Sequence, residues 1–244
     1  MRRLAALLAL AASSASVTHA RAQEAACEAS PAEQAGNRDG STLSLRTECP
    51  AGATRRYIVE LRCADGRQCD TLEIEQDIEE SPTGHASLVD IDGDGMHEVE
   101  VRGMCGAGPN CEGDLYRIDR DGRTLYHFFS GGYADVRIID GHIVESGRAS
   151  CCSWEHHAWP LDEDGRLHGD GPMALMVTIG ADFASERDDA PPRCTFSRPS
   201  GDNRQVVAPP GAAWLSLCEV YGDDYHLVTP EEARAADAAA AQEQ

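Results

Sequence analysis

The chain has no long apolar run. Its longest, Leu4–Ala12, is nine residues, far short of the roughly 20 that a helix needs to cross a bilayer, so no membrane insertion is expected. It is also short of positive charge: 21 Lys and Arg stand against 42 Asp and Glu, a formal charge of −21. Nucleic acids and anionic membranes both require a positive footprint, and this balance argues against either as a partner. The motifs of several enzyme classes are missing. There is no C-x-x-C pair, no G-x-S-x-G elbow and no phosphate-cradling glycine loop. Serines and histidines occur, but no spacing places a Ser–His–Asp set. Carboxylates are so abundant that a glycosidase-like pair cannot be inferred from their number. The sequence is therefore read as that of a non-enzymatic protein, and the search turns to binding.

What is present begins with a leader. Arg2 and Arg3, the short apolar run and Ala20-Arg21-Ala22 fit a secretory signal over residues 1–22. Loss of Arg2, Arg3 and Arg21 takes the formal charge from −21 to −24. Ten cysteines follow the leader. An even number in an exported chain points to disulfides and a periplasmic or secreted location. The C-x5-C spacings would let Cys63/Cys69 and Cys105/Cys111 close local loops, and proximity suggests Cys27/Cys49 and Cys194/Cys218. Connectivity does not follow from spacing. The adjacent Cys151 and Cys152 would reach different partners or each other.

Residues 23–53 are polar and read as a loose arm tied down by Cys27 and Cys49. From 54 to 183 short apolar/polar alternation prevails, as in TRRYIVELRC (54–63), TLEIEQDIE (71–79), MHEVEVRGMC (96–105) and ADVRIID (134–140). This is the period of half-buried strands. Asp65-Gly66, Asp121-Gly122, Asp140-Gly141 and Asp164-Gly165 separate them, and Asp-Gly suits tight hairpins because their central positions need positive φ. The expected fold is mainly β: an antiparallel meander (sandwich, barrel or partial-propeller-like), disulfide-bonded, with the irregular arm before it. Residues 184–228 read as a Pro-rich loop and a segment held by Cys218. Residues 229–244 form an Ala/Glu-rich tail that starts as a helix, with Thr229 as N-cap, Pro230 at the first position and Glu231-Glu232 complementing the dipole.

SLVDIDGDGMHEVEV (87–101) is the most informative stretch. Like charges about 4 Å apart repel by roughly 1 kcal/mol per pair even in water, and a cation would remove that repulsion. D-x-D-x-D-G-x-x-E supplies Asp90, Asp92 and Asp94 at positions 1, 3 and 5, and Gly95 for the sharp turn. The Met96 carbonyl and the Glu98 carboxylate follow at positions 7 and 9. An oxygen-only set of this kind suits calcium. The bland alternative is a metal-free Asp/Gly hairpin loop. An EF-hand is excluded, since position 12 is Val101 rather than Glu. The loop resembles the calcium loops of FG-GAP/VCBS-type β repeats. The turns at 119–122 and 162–165 carry Arg123 and Arg166 where a third alternating acid would be, and read as plain hairpin turns.

ESGRASCCSWEHHAW (145–159) is the second unusual stretch. Its Cys and His spacing does not fit a zinc finger. Trp154 and His156 read instead as a recognition patch, since Trp is favoured at binding hot spots. The acidic loop, the CGAGPNC loop (105–111), the hairpin LYRIDRDGRTLYHF and the D-G-R-L ending at 164–167 together resemble calcium-binding periplasmic immunity inhibitors of type IV-secreted peptidoglycan hydrolases. These are similar to lysozyme inhibitors. The resemblance implies a calcium-rigidified β scaffold whose loop plugs the cleft of a basic, lysozyme-like partner. It places Ser130 and Tyr133 in S-G-G-Y, one residue shorter than the S-G-x-x-Y inhibitory loop, and Arg148 in S-G-R, which lacks the Tyr. Two other readings are a calcium-dependent adhesion or surface-recognition module with a cell-surface ligand, and a secreted glycan hydrolase.

Overall fold

Tyr57, Val59 and Leu61 alternate along one strand, and all three side chains are fully buried. That pattern recurs through a computed structural model that describes residues 27–50, 52–106, 108–167, 171–182, 190–201 and 203–242; the expected leader lies outside them. The protein is mainly β and antiparallel, in three sheets. Sheet one runs in sequence order through β1 (Ser30–Gly36), β2 (Thr42–Glu48), β3 (Thr54–Arg62) and β4 (Gln68–Asp77). Sheet two does the same through β5 (His85–Val89), β6 (Glu98–Cys105), β7 (Cys111–Ile118) and β8 (Leu125–Tyr133). Sheet three comprises β9 (Asp135–Ile139), β10 (His142–Ser150), β11 (Ser153–Pro160), β12 (Leu175–Gly180), β13 (Arg193–Ser200) and β14 (Asn203–Val206); β15 (His226–Leu227) joins β13 in parallel. A 3₁₀ helix, Ala212–Tyr221, and α1, Pro230–Ala240, complete the described elements.

The sheets stack through their alternating faces. Leu43, Leu45, Tyr57, Val59 and Leu61 of sheet one meet Val99, Val101 and Leu125 of sheet two. Leu115, Phe128, Phe129 and Tyr133 on sheet two meet Val136 and Ile143 of sheet three. The far side of sheet three is covered by Trp214, Leu217 and Cys218 of the 3₁₀ helix. The Trp214 indole N–H donates to Asp140 at 2.9 Å, so the aromatic ring is buried without an orphaned donor.

Four disulfides form: Cys27–Cys49, Cys63–Cys69, Cys105–Cys111 and Cys194–Cys218. Cys151 and Cys152 bond neither to each other nor to another partner and remain as exposed thiols. At Asp140-Gly141 both central residues have positive φ, 46° and 71°, as a tight two-residue hairpin requires. Thr229 caps α1 in a capping box with Glu232, behind Pro230.

Two segments differ from expectation. Within the polar arm the chain forms β1 and β2, because Leu43 and Leu45 alternate into the first interface while their neighbours stay polar. Within the Pro-rich stretch it forms β13 and β14. Cys194 and Phe196 are fully buried there, Pro191 and Pro192 precede the strand, and Pro199 sits beside its turn, where a missing N–H is tolerated.

Candidate metal centre

The acidic stretch forms the loop between β5 and β6. Gly93 and Gly95 take φ of 71° and 81°, a left-handed conformation that glycine adopts without steric penalty. The double reversal turns three alternate aspartates toward one point. Carboxylate oxygens of Asp90, Asp92 and Asp94 all lie within 4.8 Å of one another, an arrangement that could hold a metal ion. The backbone steadies the side chains. Asp90 accepts from the amides of Asp94 (3.1 Å) and Gly95 (3.0 Å), and Asp94 accepts from the amide of Met96 at 2.7 Å.

The β1–β2 turn braces this loop. Arg38 N–H donates to the Gly95 carbonyl at 2.8 Å, and its guanidinium lies 3.4 Å from Asp94. Asn37 accepts from the His97 amide at 2.9 Å. The segment read as an arm thus positions the site. Nothing in its spacing announced this beyond the turn-like Asn-Arg-Asp-Gly at 37–40.

Glu98 is brought close to the aspartates but faces a different environment. It opens β6, and its side chain follows the same face as Glu100 and Arg102, toward sheet three. It is 1% exposed, accepts from the Ile91 amide at 3.1 Å, and lies 2.9 Å from the Arg117 guanidinium. A second Arg117 nitrogen reaches Asp92 at 3.0 Å, and the guanidinium sits 5.0 Å from the centre of the Phe128 ring. Burial pushes the Glu98 carboxyl up to about 7; the attraction of Arg117 opposes this and does not cancel it. Glu98 is therefore first a partner of Arg117, and the gathered oxygen set consists of the three aspartates. Arg117, nineteen residues downstream, left no local signal in the sequence.

A cavity of about 540 Å³ opens beside the loop, lined by Arg38, Asp92, Asp94, Arg117, Tyr126 and Asp164 among others. The turn at 119–122 and the turn at 162–165 close one rim. Arg120 pairs with Asp164 and Arg166 with Asp119, each at 2.6 Å.

The residues expected to contact a partner are scattered. Ser130 is exposed; its hydroxyl donates to Asp114 and lies 2.9 Å from His127 Nε2. Asp114 approaches that same nitrogen, at 3.2 Å, whereas a catalytic relay holds the carboxylate on the opposite ring nitrogen. Arg148 is exposed and Trp154 half-buried. Tyr133 and His156 are corrections. Tyr133 is fully buried under Arg102, whose guanidinium lies 4.5 Å from the ring centre, and burial pushes its phenol up. His156 is 3% exposed and hydrogen-bonds Ser146 at 2.8 Å. Both lie on the inward parity of their strands, which puts their rings in the interior and not on a recognition surface.

No known family matches the chain, and no curated protein matches it. Two solved structures are similar to it. A Xanthomonas type IV secretion system related protein is 13% identical, with a TM-score of 0.42 over 72% of this chain and 93% of that one. The β-propeller domain of the Trilobed protease from Pyrococcus furiosus is 7% identical, with a TM-score of 0.29 over 72% of this chain and 57% of that one. At these values neither likeness carries fold or function from one chain to the other.

Proposed function

We propose that this is an exported calcium-binding β protein that engages a protein partner, and that the partner is a basic, lysozyme-like peptidoglycan hydrolase whose activity it inhibits. The observation that carries the metal reading is the convergence of Asp90, Asp92 and Asp94 on one point, with backbone amides fixing their orientation. Donors that are all oxygen favour calcium over zinc or copper. Calcium accepts six to eight oxygens in flexible geometry, whereas magnesium prefers few protein ligands. The Met96 carbonyl and water would complete the shell. The partner reading is supported by charge, since a chain with twice as many acids as bases suits a basic enzyme, and by the resemblance across residues 85–168. Four disulfides fit an oxidising compartment.

Thermal unfolding in 10 mM calcium, in magnesium and in chelator tests the metal. With a dissociation constant of roughly 10⁻⁴–10⁻³ M, usual for extracellular modules, calcium should add about 1–3 kcal/mol. Asp92→Ala should abolish that gain. A melting temperature indifferent to calcium in the unaltered protein would reject the metal reading. Lytic activity of a basic lysozyme titrated with the protein tests the partner separately. Full activity at excess inhibitor, with no complex on gel filtration, would reject inhibition and leave the metal site standing.

A further inference from the structure

Eight of the ten cysteines close intrachain bridges, leaving Cys151 and Cys152 as exposed thiols. They form the two-residue loop of the β10–β11 hairpin, where Ser150 pairs with Ser153. The tip is held firmly. The Ser150 and Ser153 hydroxyls lie 2.7 Å apart, and the Cys152 N–H donates to Ser150 Oγ at 3.2 Å. The Arg148 guanidinium donates to the carbonyls of Ser150 (3.0 Å) and Cys151 (2.5 Å). From the loop closed by Cys105–Cys111, the Asn110 amide accepts from the Arg148 N–H at 2.8 Å and donates to its carbonyl at 3.1 Å. Gly147 permits this approach, because a Cβ there would lie 3.1 Å from the Asn110 amide nitrogen. An open groove of about 390 Å³ results, with Gly106, Gly108 and Asn110 on one wall and Arg148, Ser150 and Cys151 on the other.

We infer that Cys151 is a covalent attachment site, which takes a thiol from a disulfide-bearing molecule and retains it as a mixed disulfide in this groove. The thiolate is the attacking species. Of the two sulfur-bearing side chains it is Cys151 that lines the groove; its neighbourhood pushes the Cys152 thiol up, and the positive charge of Arg148 opposes that rise. In the step, the Cys151 thiolate donates its electron pair to one sulfur of R–S–S–R. The S–S bond breaks, Cys151–S–S–R forms, and R–S⁻ leaves, taking up the proton that Cys151 released. The incoming disulfide is the only oxidant consumed. The adduct persists because resolution by Cys152 would close an eight-membered ring containing a planar trans peptide bond, which opposes the required geometry. The disulfide could come from a low-molecular-weight compound or from a second copy of the chain already oxidised at Cys151. None of this depends on the calcium reading.

The test uses exported protein whose free thiols are first counted under native conditions, then treated with oxidised glutathione and followed by intact mass, peptide mapping and non-reducing electrophoresis. Two reactive thiols are expected before treatment, and one glutathionyl group per chain on Cys151 afterwards. Cys151→Ser should give no adduct, and Cys152→Ala should give the same adduct on Cys151. A dimer bridged through Cys151 that forms when chain already glutathionylated at Cys151 is mixed with reduced chain, releasing one glutathione per bridge, also supports the site and identifies the second copy as a source. Loss of two hydrogens with no adduct, an adduct on Cys152 in its place, or thiols inert to oxidised glutathione would overturn the inference.

Discussion

The two faces of the middle sheet are built on different terms. Toward sheet one it presents Val99 and Val101 to Leu43, Leu45, Tyr57, Val59 and Leu61, an apolar cluster bordered by hydrogen bonds from the Gln76 amide to the Arg102 carbonyl and from the Leu125 N–H to Asp70. Toward sheet three the same strand, β6, presents Glu98, Glu100 and Arg102, and β7 adds Arg117 beside Leu115. The first interface stacks sheets by area removed from water, and sheet one reaches the acidic loop at its β1–β2 turn, through Asn37 and Arg38. The second buries charges in mutual contact, and one of them, Arg117, also touches Asp92 of the loop. Packing between sheets two and three and the geometry of the candidate metal centre are thereby coupled through a single guanidinium.

Breaking the apolar side should have the largest effect. Tyr57→Ala removes a fully buried ring and should cost about 4 kcal/mol, or on the order of 10 °C in melting temperature for a domain of this size. Any gain from calcium should survive unchanged, since no contact of that ring reaches the loop. The charged side should respond next. Arg117→Met strands Glu98 in the interior without its countercharge, which should cost about 3 kcal/mol in urea unfolding. Pairing it with Glu98→Gln should recover most of the loss, because neither charge is then left alone. If the double variant were as unstable as the single one, Arg117 would be acting through its packing on Phe128, and the contrast between the two faces would lose its electrostatic basis.

The sequence shows these faces unequally. The strands of sheets one and two from Thr54 to Ile118 are visible as alternation with Asp-Gly turns, and Asp90, Asp92 and Asp94 are visible as spacing. The β1–β2 hairpin is hidden because only Leu43 and Leu45 mark it, and its bracing of the loop through Asn37 and Arg38 is a contact across some 60 residues. Position 9 of the motif suggested a ligand role for Glu98. Strand parity, fixed by where β6 begins, turned that side chain toward Arg117. Tyr133 and His156 fail as surface residues for the same reason: composition marks a side chain as capable of recognition, while register decides which way it points.

Sheet three carries a buried titratable group of the opposite kind to Glu98. Burial, and secondarily the charge of Arg137, pushes His156 down to about 4 from its usual 6.5. The native state therefore holds it neutral where the unfolded chain would be protonated. Its stabilising contribution is complete above pH 6.5 and is lost as pH falls toward 4, a difference of about 3 kcal/mol. Urea midpoints at pH 7 and pH 4.5 should diverge in the native sequence and converge in His156→Gln. An equal fall in both would assign the acid sensitivity to other groups and remove sheet three from the comparison.

The rim of the cavity offers the smallest effect and the sharpest control. Arg120–Asp164 and Arg166–Asp119 clasp two turns at 2.6 Å, as short as any pair in the interior, yet the first pair is largely exposed and the second partly so. Exposed pairs contribute little because water screens them and both side chains lose freedom. Arg120→Ala should thus lower the melting temperature less than any change above. The difference should vanish in 1 M salt, where the screening length is about 3 Å. Arg117→Met, acting inside the interface, should keep its penalty at the same salt concentration. A salt-independent loss from Arg120→Ala as large as that from Arg117→Met would mean the clasp holds the sheets together as the buried pair does, and distance from solvent would no longer separate the charges that build this fold from those that decorate it.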